Sequence, residues 1–130
     1  MIGKKTSTIS INLVGEVTST HFLGDFEVKI FLTHAEDLLR DKIRKDLLGK
    51  DPDASSDRAR NQAEVLSQLQ VRIVKAPLFW ESSGNGMSLY DDNIIVELYE
   101  KCMKATEDAV AEIKKKAEEA KAELQKSASV

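Results

Sequence analysis

The chain has 130 residues, of which 42% are hydrophobic, 32% are charged and 5% are aromatic, and its formal net charge is −3. This length predicts one domain, and the lack of a basic excess argues against nucleic-acid binding. No apolar run reaches the ~18 residues of a membrane span, and no apolar segment follows the basic start as a secretory signal requires.

The chain has a single cysteine, Cys102. It cannot form a disulfide within the chain, which is typical of proteins that stay in a reducing compartment. We therefore expect a protein of the cytosol, or of a particle assembled there, that is not secreted by a signal peptide.

Two β-strands are predicted, at residues 8–18 and 26–32, because apolar and polar residues alternate there with a period of two. Gly24-Asp25 lies between them and predicts the turn of an antiparallel hairpin. Two strands alone are marginal in water, so this hairpin needs a helix of the same chain or a strand of another. The residues expected to face the core are Ile9, Ile11, Leu13, Phe26, Val28, Ile30 and Leu32.

The first helix is predicted to begin at Thr33-His34-Ala35-Glu36, which is a capping box. Gly49 predicts its end, before a turn at Asp51-Pro52-Asp53. Its basic residues are interleaved with aspartates, which indicates a solvated, ion-paired surface rather than a nucleic-acid site. Its apolar face consists of Ala35, Leu38, Leu39, Ile43 and Leu47.

A second helix is predicted after Ser55 or Ser56, either of which can cap it. The β-branched run Val71-Arg72-Ile73-Val74 fits a helix or a strand, and Pro77 should end the element. The apolar stripe of this helix is thin and consists of Ala59, Ala63, Leu66, Leu69 or Gln70, and Ile73.

The segment from Leu78 to Asn93 is predicted to be an irregular loop, because Ser82-Ser83-Gly84-Asn85-Gly86 is a strong turn cluster. It also contains Phe79 and the only tryptophan, Trp80. Tryptophan is enriched at binding hot spots, so these two residues form a candidate interface patch. The alternative is that they fill the core beneath the loop.

The last third is predicted to be one long, charged helix that begins after Asp91 or Asp92 and runs to about Lys126. At ~1.5 Å per residue it spans roughly 50 Å, which exceeds the radius of about 14 Å expected for a compact domain of this length. Its distal half should therefore project as a solvated single helix or pack against a partner helix. Three Glu-to-Lys pairs at i and i+4 support it, namely Glu97–Lys101, Glu100–Lys104 and Glu112–Lys116.

Apolar and small residues recur along this helix in alternating steps of three and four, the heptad pattern of a coiled coil. We name this set the heptad seam. It consists of Val96, Tyr99, Met103, Thr106, Val110, Ile113, Ala117, Ala120 and Leu124.

No catalytic or metal-binding constellation is evident. Asp51, Asp53, Ser55 and Asp57 alternate as in a calcium loop, but Ser56 and Gln62 replace the required Gly and Glu, so we interpret them as a turn and a helix cap. His21 and His34 lack a second ligand at a metal-binding spacing, and no nucleophile–base pair is visible. We predict a non-enzymatic protein without metal, cofactor or small-molecule substrate.

Four segments carry a resemblance in general layout over residues 8–105. They are Phe26-Glu27-Val28-Lys29-Ile30, Asp46-Leu47-Leu48-Gly49, Ala76-Pro77-Leu78-Phe79-Trp80 and Asp91-Asp92-Asn93-Ile94-Ile95. In this layout the chain resembles small bacteriophage morphogenesis proteins, in particular tail assembly chaperones. The resemblance implies a protein that binds other phage proteins during assembly, or a capsid-decorating or connector subunit, in the host cytoplasm or an assembled virion. It assigns no functional residue.

We therefore predict an α+β fold in which an N-terminal β-hairpin packs on two helices and a long charged C-terminal helix with a heptad seam follows. The expected parts are a globular domain at 1–90, the long helix at 91–126 and a frayed tail at 127–130. The predicted interface residues are Phe79, Trp80, Tyr99, Met103, Val110, Ile113 and Leu124.

The expected function is protein–protein interaction in assembling or stabilising a multisubunit particle. The expected partners are other protein subunits, with further copies of this chain among the candidates, and neither nucleic acid nor a membrane. A small ligand-binding module is the further alternative, which a cleft lined by the loop Phe79–Tyr90 would support.

Overall fold

The computed structural model describes residues 5–50 and 55–128, without the side chain of Ala128. It confirms the α+β class. The predicted turn at Asp51-Pro52-Asp53 lies outside the described residues. In chain order the elements are β1 (Thr6–Val14), β2 (His21–Lys29), α1 (His34–Leu48), α2 (Asp57–Arg72), β3 (Ile73–Lys75), α3 (Leu78–Ser82) and α4 (Asp92–Ala128).

The three strands form an antiparallel sheet in the order β1-β2-β3. The predicted hairpin is present, with Ile9 opposite Phe26, but the predicted turn at Gly24-Asp25 is wrong because both residues lie inside β2. The chain reverses instead at residues 15–20, where the N–H of Gly15 donates to the carbonyl of Thr20 at 2.7 Å.

Asp91, the residue immediately before α4, stabilises this turn. The carboxylate of Asp91 accepts hydrogen bonds from the N–H groups of Val17 (2.7 Å) and Thr18 (2.8 Å) and from the Thr18 hydroxyl (2.6 Å). Asp91 is only 1% exposed, and these bonds, the hydroxyl bond first, hold the pKa of its carboxyl below the ordinary value. The sequence predicts Asp91 or Asp92 as the cap of α4, but the Asp91 carboxylate binds the hairpin turn.

Two further side chains of α4 bind the outer edge of β1. The Asn93 amide donates to the carbonyl of Val14 at 3.1 Å, and the Lys101 ammonium donates to the carbonyl of Ser10 at 2.8 Å. The first turns of α4 therefore lie along the edge strand and occupy two of its acceptors.

Helix α1 has the predicted capping box, in which Thr33 and Glu36 exchange hydrogen bonds, and it ends before Gly49 at φ +83°. The apolar face of α1 is largely exposed. No residue of α1 is buried, and Leu38 is 71% exposed. The reason is that α1 packs mainly against α2, through ion pairs such as Arg40–Glu64 (2.8 Å), and no described element covers Leu38.

Ser56, rather than Ser55, caps α2 by accepting the N–H of Ala59 at 3.1 Å. The run Val71-Arg72-Ile73-Val74 is divided between two elements, since α2 ends at Arg72 and β3 begins at Ile73. Val28 of β2 pairs with Ile73, so the helix leads directly into the third strand of the sheet.

The segment predicted as irregular begins with the short helix α3, which packs on the inner face of the sheet. The ring of Phe79 meets Phe22 and Phe26 edge-on at centroid distances of 5.1 and 5.8 Å, and Trp80 meets Phe26 at 5.7 Å. Gly86 follows in the turn at φ +88°, and a Cβ there would overlap the Trp80 ring. The predicted turn cluster thus closes over the tryptophan.

The first half of α4 completes this core. Ile94, Leu98 and Cys102 are inaccessible to solvent and belong to the same apolar cluster as the sheet. The other members of the cluster are Ile9, Ile11, Phe22, Phe26, Val28, Leu69 and Trp80. α4 continues to Ala128, so the predicted tail begins inside the helix, and residues 129–130 lie outside the described part of the chain.

Candidate functional site

The second half of α4 has no covering element in the described structure. Every residue from 111 to 127 is exposed, although the 37-residue helix is continuous. Ile113 is 45% exposed and Leu124 is 71% exposed, and both belong to the heptad seam. Residues 111–127 therefore form an exposed helical segment with apolar side chains on one face, which we call the free half of α4 because no other described element covers it.

The heptad seam in the first half of α4 is partly occupied by its own domain. Tyr99 and Met103 pack against the core cluster, and the Thr106 hydroxyl donates to the carbonyl of Ile30 at 2.6 Å. Val96 and Val110 remain 47% and 39% exposed. The predicted interface residues therefore fall into two groups, with Tyr99 and Met103 half-buried and the three farther along the helix exposed.

Charged pairs along α4 stabilise the helix itself. The predicted pairs Glu97–Lys101 (3.6 Å) and Glu112–Lys116 (3.3 Å) are present. Lys104, predicted to pair with Glu100, instead pairs with Asp108 at 3.3 Å. Exposed pairs of this kind contribute only about 0.3–0.5 kcal/mol each, so they support the free helix only weakly.

Phe79 and Trp80, the second predicted interface patch, lie in the core of the chain. Trp80 is 2% exposed, and Phe79 is half-buried between two phenylalanines of the sheet. This is the alternative that the sequence leaves open. Their part in an interface stays a prediction.

A groove with a volume of about 650 Å³ runs between α2, the turn after α3 and the start of α4. Its lining mixes apolar and polar side chains, and Arg58 pairs with Asp92 at 3.7 Å. The sequence gives no direct signal for this groove, because its walls come from three separate segments. The lining residues are Arg58, Asn61, Gln62, Val65, Leu66, Gly86, Met87, Leu89, Asp92, Ile95 and Val96.

Arg72 is a buried charge, and its only signal in the sequence is its position within the apolar run Val71-Arg72-Ile73-Val74. Its guanidinium donates to the carbonyls of Lys29 (3.1 Å) and Ile30 (3.0 Å) and to Gln68 (2.9 Å). Burial lowers the pKa of Arg72. We interpret it as a clamp between α2 and the end of β2, because its donors meet backbone acceptors of its own chain.

Cys102 is inaccessible, and burial raises the pKa of its thiol to about 11. Such a pKa disfavours the thiolate that nucleophilic or redox chemistry needs. Within residues 5–50 and 55–128, no three His, Cys, Asp or Glu side chains are arranged to hold a metal ion. No helix among these residues is both long and apolar enough to cross a membrane.

No protein-family model, curated protein or solved structure matches this chain.

Proposed function

We propose that this chain is a non-enzymatic protein that binds other protein subunits and acts in the assembly or stabilisation of a multisubunit particle. The observation that carries the proposal is the free second half of α4, whose exposed residues 111–127 include Ile113 and Leu124. Both apolar side chains are exposed to water in the single chain. Packing the heptad seam against another helix would supply the missing burial.

The resemblance to tail assembly chaperones supports a bacteriophage morphogenesis factor within this class. A structural subunit of the virion is the alternative. The two differ in whether the protein remains in the finished particle. Mass spectrometry of particles purified from the producing cells separates them, since an assembly factor is absent from the particle and a structural subunit is present in stoichiometric amount.

A differential co-purification tests the protein-binding role. The full chain and the double variant Ile113→Asp/Leu124→Asp are purified by the same affinity tag from cells that express the particle genes. We expect subunits that the wild type retains and the double variant loses. Lys115→Glu changes an exposed charge and is the matched control, because position 115 lies on the opposite side of the helix from the seam. Equal recovery by all three proteins would contradict the proposal.

The groove between α2 and α4 favours a second candidate, a small ligand-binding module. Its volume of about 650 Å³ is within the ~300–1,000 Å³ of ligand sites, and the turn after α3 contributes Gly86, Met87 and Leu89 to its wall. The test is the binding of a fluorescent apolar probe to the wild type and to Val96→Lys. Saturable binding that the variant loses would support this function, and equal fluorescence would contradict it.

A further inference from the structure

The charges beside the heptad seam change sign along α4. With Val96 at heptad position a, position e is acidic in the first half, at Glu100 and Glu107, and basic in the second half, at Lys114 and Lys121. All four side chains are exposed. Residues at position e flank the contact between paired helices and set the orientation of the partner.

Such an edge is complementary to itself only when the second helix runs in the opposite direction. In an antiparallel pair, e positions face e positions, and one register places Glu100 opposite Lys121 and Glu107 opposite Lys114. By the two-fold symmetry each pair occurs twice. In a parallel pair, position e faces position g, where Lys116 would meet Lys121 and no attractive pair would form. The charge pattern therefore favours an antiparallel second copy.

The apolar residues of the heptad seam fit the same register. It places the large Met103 beside the small Ala120, and Val110 beside Ile113. No pair of two large side chains therefore crowds these positions. Thr106 faces its own domain, so the contact follows the exposed edge of the seam, where Val96 and Val110 are accessible. The same register places Leu124 of one copy beside Tyr99 of the other.

We propose that the partner of the free half of α4 is a second copy of this chain, which packs antiparallel along α4 with the two-fold axis close to Val110 and Ile113. This rests on the proposed function, because it names the partner of that surface. The other occupants, a parallel copy and a different protein, are distinguished by the following experiment.

The test uses full-length proteins and charge reversal, with the mass measured by light scattering over a series of concentrations. The wild type should approach twice its 14.5 kDa. Glu107→Lys and Lys114→Glu should each weaken the dimer by about tenfold or more, because each turns two attractive pairs into repulsive ones. The double variant, and an equimolar mixture of the two single variants, should regain near wild-type affinity. Lys115→Glu, on the far side of the helix, is the control and should dimerise normally.

Two results would overturn the inference. A wild type that stays monomeric at every concentration excludes a second copy, and the co-purification experiment then decides separately whether a different protein binds. A dimer that Ile113→Asp/Leu124→Asp dissociates, but that neither charge reversal weakens, excludes the antiparallel register and leaves the protein-binding role of the helix intact. Helical circular dichroism of each variant shows that the fold is retained.

Discussion

The two halves of α4 belong to one helix and share one heptad pattern, but the first half is packed against the domain and the second half is exposed to water. The first half contributes Ile94, Leu98 and Cys102 to the core, and the second half is exposed at every residue from 111 to 127. The periodicity is the same in both halves. It identifies which residues share a face of the helix, but what covers that face depends on the rest of the molecule.

The second half exists as a helix because the first half is docked. Forming the first turn is the costly step in helix formation, and adding residues to an existing helix is nearly neutral. Packing of Leu98 and its neighbours fixes the first turns, so residues 111–127 extend a helix that has already formed. The second half is therefore ordered at little cost, although its apolar residues remain exposed.

The largest expected contrast between the halves comes from matched leucine truncations. Leu98→Ala leaves a cavity beside the sheet, and we expect a loss of about 2–5 kcal/mol in the free energy of unfolding. Leu124→Ala removes a side chain that is already in water, and its effect should stay within about 0.5 kcal/mol. Urea denaturation of the monomeric protein, at low concentration, measures both. Similar losses would mean that the two halves are equally packed.

Acid should weaken the bonds between Asp91 and the hairpin turn. The pKa of Asp91 is lowered by its bonds to the turn at 15–20, so its stabilising contribution is present above the unfolded-state pKa of about 3.9 and is lost as the pH falls through the lower folded-state pKa. We expect Asp91→Asn to lower the melting temperature at pH 7 and to flatten its decline below about pH 4.

Glu36 and Asp41 act in the same pH window. Hydrogen bonds from Lys29 to Glu36 and from Arg44 to Asp41 are the main causes that lower the pKa of each carboxylate to about 2. Both groups are present in the wild type and in Asp91→Asn, so their contribution is common to the two proteins. A melting temperature with the same pH profile in wild type and Asp91→Asn would show that the carboxylate does not anchor the turn. Differential scanning calorimetry from pH 7 to 3 makes the comparison.

Thr106 marks the border between the halves, because its hydroxyl donates to the carbonyl of Ile30 at 2.6 Å. Thr106→Val keeps the shape and removes the donor, and we expect a loss of about 0.5–1.5 kcal/mol in the free energy of unfolding. Hydrogen exchange should speed up at residues 103–110 and stay unchanged at 94–98. Uniform acceleration along the helix would place the border elsewhere.

The smallest effect on stability is expected from Ile113→Asp/Leu124→Asp. Both side chains are exposed, so the monomer should unfold within about 0.5 kcal/mol of the wild type. Thermal denaturation at low concentration measures this. A large loss would show that the second half packs on its own domain.

Local signals in the sequence were sufficient for several elements. The capping box of Thr33 and Glu36, the Ser56 cap and the long helix depend on neighbouring residues, and the structure confirms them. The turn at 15–20 was not predicted, because it is stabilised by Asp91 from a distant part of the chain. Gly24-Asp25 was the stronger turn signal, but register with β1 places it inside a strand.

Burial was harder to predict than secondary structure. Leu38 has the spacing of a core residue but lies in water, since α1 reaches the rest of the chain mainly through α2. For Trp80 the sequence leaves an interface and the core as alternatives, and only the structure shows that α3 directs its ring into the core. The sequence suggests only one wall of the groove between α2 and α4, the loop Phe79–Tyr90, because the groove depends on how three elements are placed relative to one another.

The contacts of Asn93 and Lys101 with β1 have a consequence for aggregation. An uncovered strand edge is a template on which other chains add strands, and proteins protect such edges with charges or by covering them. Here the docked turns of α4 occupy the carbonyls of Val14 and Ser10. A molecule whose α4 detaches would present the nine-residue strand β1 to its neighbours. Docking of α4 therefore also protects this edge of the sheet against the addition of strands from other chains.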